Sequence, residues 1–258
     1  MIENPVLIKE VKTKMRSRQP PRVQLAIAVL VGLFILYCYY QAIGWLVQYG
    51  GANAANDGWR IALGMQAILI WLLAPAVTAN AISQEKEQQT WEMLLFTLLT
   101  PWEILSGKLA ARIAPILAIV AAFAPFMLFC YLRGTVTVGQ FFVTYLVFFV
   151  WIIFLTTVGL FMSWAFRRTA AAIATSYLVV FTLVIGTTLI NMTLSLSQNW
   201  VESWIWWLNP IRACEALMSM TTDSYAGGVL TLSTVTYCLL AVFLLARMTK
   251  QFRAFSID

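Results

Sequence analysis

Residues 83–108, SQEKEQQTWEMLLFTLLTPWEILSGK, are a dense polar insertion in a chain that is otherwise mostly apolar. Three glutamates, a lysine and three glutamines crowd around Trp91 within residues 83–92. Long apolar runs lie on both sides. Of the 258 residues, 61% are hydrophobic and 11% charged, whereas a soluble domain has roughly 45–50% apolar and about 25% charged residues. The apolar excess falls in continuous runs, so the chain reads as an integral membrane protein and the insertion as a segment outside the bilayer.

Six runs are long enough to span a hydrocarbon core of about 30 Å as helices: 24–46, 60–82, 109–131, 140–165, 170–191 and 229–247. Their continuity speaks against a β-barrel, whose strands alternate in segments of roughly ten residues. The fold class expected is therefore an all-α polytopic membrane protein. Fourteen lysines and arginines flank one side of these spans, including Lys9, Lys12, Lys86, Lys108, Arg112, Arg167, Arg168 and Arg247. The other side has three, Arg60, Arg133 and Arg212. Positive charge stays in the cytoplasm, so both termini and residues 83–108 are expected there, in a multi-pass protein of the cell membrane. The net charge of +6 suits anionic headgroups, and no basic stripe interleaved with aromatics points to nucleic acid. The charged first 22 residues do not read as a signal peptide. Within them NPVLIKEVKTKMRSR, residues 4–18, carries an apolar stripe of Leu7, Val11 and Met15 behind an Asn4-Pro5 start, the pattern of an interfacial helix. A structureless basic tail is the competing reading.

In residues 83–99 the spacing predicts one amphipathic helix. Ser83 can cap it, and Glu85 and Glu87 sit in its first turn, where the helix dipole favours negative charge. Trp91, Leu94, Leu95 and Leu98 fall at i, i+3, i+4 and i+7, opposite Gln88, Gln89 and Glu92. A capping box follows, with Thr100 as cap, Pro101 first and Glu103 third, opening a second helix toward the third span. Such a two-faced helix can rest its stripe on the bilayer. It can equally dock on a soluble partner and pass force to both flanking spans.

Catalytic constellations are missing. The chain has no histidine, which removes a Ser-His-Asp triad, a histidine-bearing zinc site and a histidine proton relay. Cys38, Cys130, Cys214 and Cys238 show no metal-binding or redox spacing. Gly107-Lys108 lacks the upstream glycine and the following hydroxyl of a P-loop. No metal or cofactor is implied in this chain. The polar groups inside the spans are neutral, Gln66, Asn80, Thr156, Thr157, Thr182, Thr187, Thr188 and Asn191, unlike the midplane charges of many carriers and pumps. The outer segment 193–228 holds Trp200, Trp204, Trp206 and Trp207 before an Asn209-Pro210 helix start. It reads either as an interfacial aromatic anchor or as two short helices dipping into the outer leaflet.

Three stretches together resemble the type-2 ABC transporter permeases. NPVLIKEVKTKMRSR resembles their N-terminal interfacial helix. ISQEKEQQTWEMLLFTLLTPWEILSGKL, residues 82–109, resembles their segment between spans two and three. WLNPIRACEAL, residues 207–217, resembles the stretch before their last span. The resemblance implies that residues 83–99 form a coupling helix seated on a separate ABC ATP-binding subunit, which would hold ATP and magnesium. Glu85, Glu87, Thr90, Trp91, Glu92, Leu94 and Leu95 would carry the contact. It implies a second permease chain, identical or related, and a route along the dimer interface lined by spans two and five. Gln66, Leu69 and Leu73 and, on span five, Phe181, Thr182 and Ile185 are the candidates there. Residues 193–228 would be a re-entrant segment closing the outer side, with Trp204, Trp207, Asn209 and Pro210 as its gate. Trp91 stands where the family more usually has an aliphatic residue. The function implied is that of the permease subunit of an ATP-driven exporter, without an ATPase site of its own. The alternatives are an ATP-coupled subunit acting mechanically on envelope machinery or lipids, and an ATP-independent channel or carrier.

Overall fold

A computed structural model describes residues 29, 32–37, 39–41, 43–44, 52–91, 100–132, 136–196, 208–219 and 226–255. The described chain is helical throughout, with no strand among these residues. The elements are α1 (Ala52–Thr78), α2 (Ser83–Glu87), α3 (Pro101–Leu132), α4 (Val138–Ala165), α5 (Thr169–Phe181), a π-helical turn (Thr182–Gly186), α6 (Thr187–Leu196), α7 (Pro210–Ser219) and α8 (Ala226–Phe255). Five helical stretches, those containing α1, α3, α4, α5 and α8, are long and apolar enough to cross a membrane. The protein is thus an all-α polytopic membrane protein. Of the expected span 24–46, residues 29, 32–37, 39–41 and 43–44 are described, and these are helical. The expected interfacial helix over residues 1–22 lies outside them altogether.

Helix ends depart from the apolar runs. α1 starts at Ala52 rather than 60 and ends at Thr78 rather than 82. Asn53, Asn56 and Asp57 precede the apolar run, yet the backbone ladder continues through them. Apolarity marks the stretch that needs lipid or core around it, not the point where helical hydrogen bonding stops. α3 runs unbroken from the Thr100 cap to Leu132, through Pro115 and Pro125. α4 is opened by a second capping box. Thr137 accepts from the Gln140 N–H, and the Gln140 side chain accepts from the Thr137 N–H at 2.8 Å.

α4 is the hub, packed on α1, α3, α5 and α8. From Phe154 to Leu160 it is buried on every face, as expected of a helix that is apolar all round. Its hydroxyls do not break that interior. Thr156 donates to the Ile152 carbonyl at 2.6 Å and Thr157 to that of Ile153 at 2.7 Å, so each is satisfied within its own helix. Gly159 lets α1 come close, since a Cβ there would lie 1.9 Å from Thr78 Oγ1 and 2.9 Å from Thr78 Cβ. Trp151 meets Trp71 of α1 with ring centroids 5.7 Å apart. Phe154 meets Tyr237 of α8 at 4.9 Å. α5 is the opposite case: Leu178, Phe181, Ile185 and Leu189 leave an exposed apolar stripe on it and its continuation.

Candidate functional site

The polar insertion begins where α1 ends. After Thr78 the chain turns through residues 79–82 and enters α2, a helix of only five residues. Ser83 is not its cap. Ile82 holds the cap position with no side-chain bond, while the Ser83 hydroxyl donates back to the Ala79 carbonyl at 2.9 Å. The free amides are met from another helix. Ser163 Oγ of α4 accepts from the N–H groups of both Ile82 and Ser83, each at 2.8 Å.

The expected single helix over 83–99 is interrupted. Gln89 takes a positive φ of 57°. The Thr90 N–H bonds the Glu85 carbonyl at 3.0 Å and the Gln89 N–H that of Lys86 at 3.3 Å. That pair of bonds is a Schellman motif, which ends α2 after one turn and a half and redirects the chain. Periodicity could not show it, because the motif usually announces itself by glycine and here uses glutamine. Trp91 resumes helical backbone. Glu92, Leu94 and Leu95 lie outside the described residues.

Within this short span the charged side chains are bound by neighbouring helices. Glu85 Oε1 pairs with Lys108 Nζ of α3 at 2.6 Å, and Lys108 also donates to the Ala81 carbonyl at 3.0 Å. Lys108 is 1% exposed. One helical turn on, Arg112 donates to the Val77 carbonyl at 3.2 Å. Two cations of α3 thus sit at the C-terminal end of α1, where unpaired carbonyls and the helix dipole favour positive charge. Lys86 donates to the Trp164 carbonyl and lies over two indole rings, 5.9 Å from the Trp91 centroid and 5.7 Å from that of Trp164. Glu87 accepts from the Thr169 N–H at 2.8 Å and from the Thr169 hydroxyl at 3.1 Å. Trp91 itself is half-buried against a cluster of Ala81, Ile82, Leu105, Leu160 and Met248. Glu85 and Glu87, both expected at a partner contact, bond within this chain, Glu85 half-buried and Glu87 on the exposed surface. Thr90 is exposed. The Thr100–Glu103 capping box is present, with the Thr100 N–H 2.8 Å from Glu103 Oε2 and the Glu103 N–H 3.4 Å from Thr100 Oγ1.

The two sets of residues expected along a shared route have different surroundings. Gln66 is fully buried, donating to the Val120 carbonyl of α3 at 3.4 Å. Leu69 is buried against Phe123, with Leu73 beside them. Phe181, Thr182 and Ile185 are exposed. Among its large apolar residues α1 exposes Ile68 and Leu72. Leu72 adjoins α5, its carbonyl accepting from the Tyr177 hydroxyl at 2.5 Å. A helical wheel of α1 is apolar nearly all round, so it carried no signal for which face looks outward.

Before the last helix, Asn209 caps α7 as expected, its Oδ1 accepting from the Ile211 N–H at 2.8 Å. Its amide nitrogen donates to Thr188 Oγ1 at 3.0 Å, and Pro210 is buried. Tyr237 of α8 donates to the Leu208 carbonyl at 2.7 Å. A small apolar cavity lies here, lined by Trp71, Trp151, Val184, Pro210 and Tyr237 among others. The π-helical turn borders it. Thr187 and Thr188 return their hydroxyls to the Leu183 and Val184 carbonyls, at 2.5 and 2.6 Å. Trp204 and Trp207 lie outside the described residues.

A bundle of long apolar helices with a polar junction at one end and neutral polar groups inside defines a multi-pass transmembrane protein. Residues 5–249 match the family described as ABC-2 family transporter protein. The chain belongs to that family, and is accordingly a transmembrane permease of the ABC transporter class. Membership implies association with an ABC ATP-binding subunit. A search of curated proteins finds no match.

Proposed function

We propose that this chain is the permease subunit of an ATP-driven exporter. It has no ATPase site of its own, and separate ATP-binding subunits drive it through the segment that starts at Thr90. The family match over residues 5–249 carries this reading. The sequence supports it through the missing P-loop and the apolar positions Trp91, Leu94 and Leu95. ATP and magnesium would bind the partner, and a second permease chain would complete the complex, with both termini in the cytoplasm of a cell-membrane protein. Since Glu85 and Glu87 bond within the chain, this reading rests the docking contact on Thr90, Trp91, Glu92, Leu94 and Leu95. A buried leucine side chain contributes roughly 1.5–3 kcal/mol, so a Leu94→Glu/Leu95→Glu double variant should lose its ATP-binding subunit on purification. Its thermal unfolding should stay at the wild-type temperature. Retention of the subunit by that variant, with nucleotide hydrolysis unchanged, would sink the docking assignment. An unaltered chain that purifies from its native membrane as a lone oligomer would favour an ATP-independent channel or carrier.

A further inference from the structure

The α4–α5 connection is gripped from outside by two adjacent residues of α2. Trp164 lies in the last turn of α4, where carbonyls have no partner within the helix. Lys86 supplies a cation to the Trp164 carbonyl. Thr169 is the first residue of α5, and Arg168 at its cap position makes no side-chain cap bond. Glu87, 82 residues earlier, accepts from the Thr169 N–H and hydroxyl instead. Each sign matches the dipole of the helix end it meets, positive at the C-terminus of α4 and negative at the N-terminus of α5. Ser163 of α4 also holds Ile82 and Ser83, and Lys108 of α3 holds Glu85. The Schellman turn then fixes how Trp91 leaves.

We infer that α2 is a rigid bracket and that Glu87 is a positioning residue, carrying movement of the segment beginning at Thr90 into α5 by capping that helix from a distance. This rests on the reading of that segment as the docking site. It adds a direct connection to α5, which follows neither flank of the insertion in sequence. α5 and the π-helical turn that continues it bear the exposed stripe of Leu178, Phe181 and Ile185, so movement of the N-terminus of α5 is felt along an exposed helix face.

The test uses the complex of this chain with its ATP-binding subunit in lipid nanodiscs and follows amide hydrogen exchange with and without a non-hydrolysable ATP analogue with magnesium. In the unaltered complex the analogue should change exchange both in residues 83–91 and in residues 169–175. In Glu87→Ala the subunit should remain bound and the change in 83–91 should persist, while the change in 169–175 disappears. Without nucleotide, exchange at the start of α5 should rise about fivefold, the loss expected for a missing helix cap. Thr169→Val, which keeps the N–H but not the hydroxyl, should weaken the α5 response only in part. An α5 response surviving Glu87→Ala overturns the inference, as does release of the ATP-binding subunit by that variant, which would make Glu87 a docking residue. An unaltered complex responding in 83–91 but not in 169–175 overturns it too. No response in either region overturns instead the docking reading beneath it.

Discussion

Lys108 carries its charge into the interior of the polar junction. It counts among the basic flanks that orient the chain, yet it is 1% exposed and bound to Glu85 and the Ala81 carbonyl. A buried charge is tolerated because it is paired, and removing one partner leaves the other uncompensated. Glu85→Ala should therefore lower stability by about 3 kcal/mol, read as a drop in the thermal midpoint in detergent. Adding Lys108→Met to that variant should restore most of the loss, since the buried cation is then gone. A double variant as unstable as Glu85→Ala alone would show that the pair is not the cause. Gly159 makes the same point by shape. Its missing Cβ admits Thr78 at a distance no side chain tolerates. Gly159→Ala should cost about 1–3 kcal/mol, and Thr78→Ala in the same chain should return part of it. Measured unfolding of the two variants decides the matter.

At the scale of elements, the length of α2 depends on one backbone angle. Gln89 adopts the left-handed conformation, φ 57°, which costs a residue with a Cβ roughly 1–2 kcal/mol relative to glycine. Gln89→Gly should therefore leave the junction as stable or raise it by about 1 kcal/mol. Gln89→Val, β-branched and poorly suited to positive φ, should lower it. Equal midpoints for the two variants would mean that the chain does not turn here. Other element starts were legible in advance. The Thr100–Glu103 box opens α3 and Asn209-Pro210 opens α7, because caps are local and their chemistry sits within four residues. The Ser83 cap fails because the chain is already helical there: the Lys86 N–H bonds the Ile82 carbonyl and the Ser83 hydroxyl turns back to Ala79.

For the molecule as a whole, the 14-to-3 division of basic residues predicts both termini on one side, the cytoplasmic one. Reporter domains fused to each end, of a kind that fluoresces only in the cytoplasm, should both be bright. One dark terminus would change the number of crossings from even to odd. The inward placement of Lys108 and Arg112 leaves this expectation unchanged. Topology responds to charge near the span ends while the chain inserts, not to where side chains later settle.

Sequence alone determined the class of this protein. Continuous apolar runs of span length admit only helices in lipid, and the stretch at 83–108 together with the two weaker motifs pointed to the permease family. Those signals are local or periodic, so one chain suffices to read them. Tertiary structure alone decided which way each side chain faces. α1 and α4 are apolar nearly all round, so only packing could bury Gln66 and Leu69 against α3 and leave Ile68 and Leu72 outside. Only packing, too, could tie Glu85 to Lys108 and Glu87 to Thr169. Those bonds join residues 23 and 82 positions apart, a separation at which no periodicity or cap rule operates.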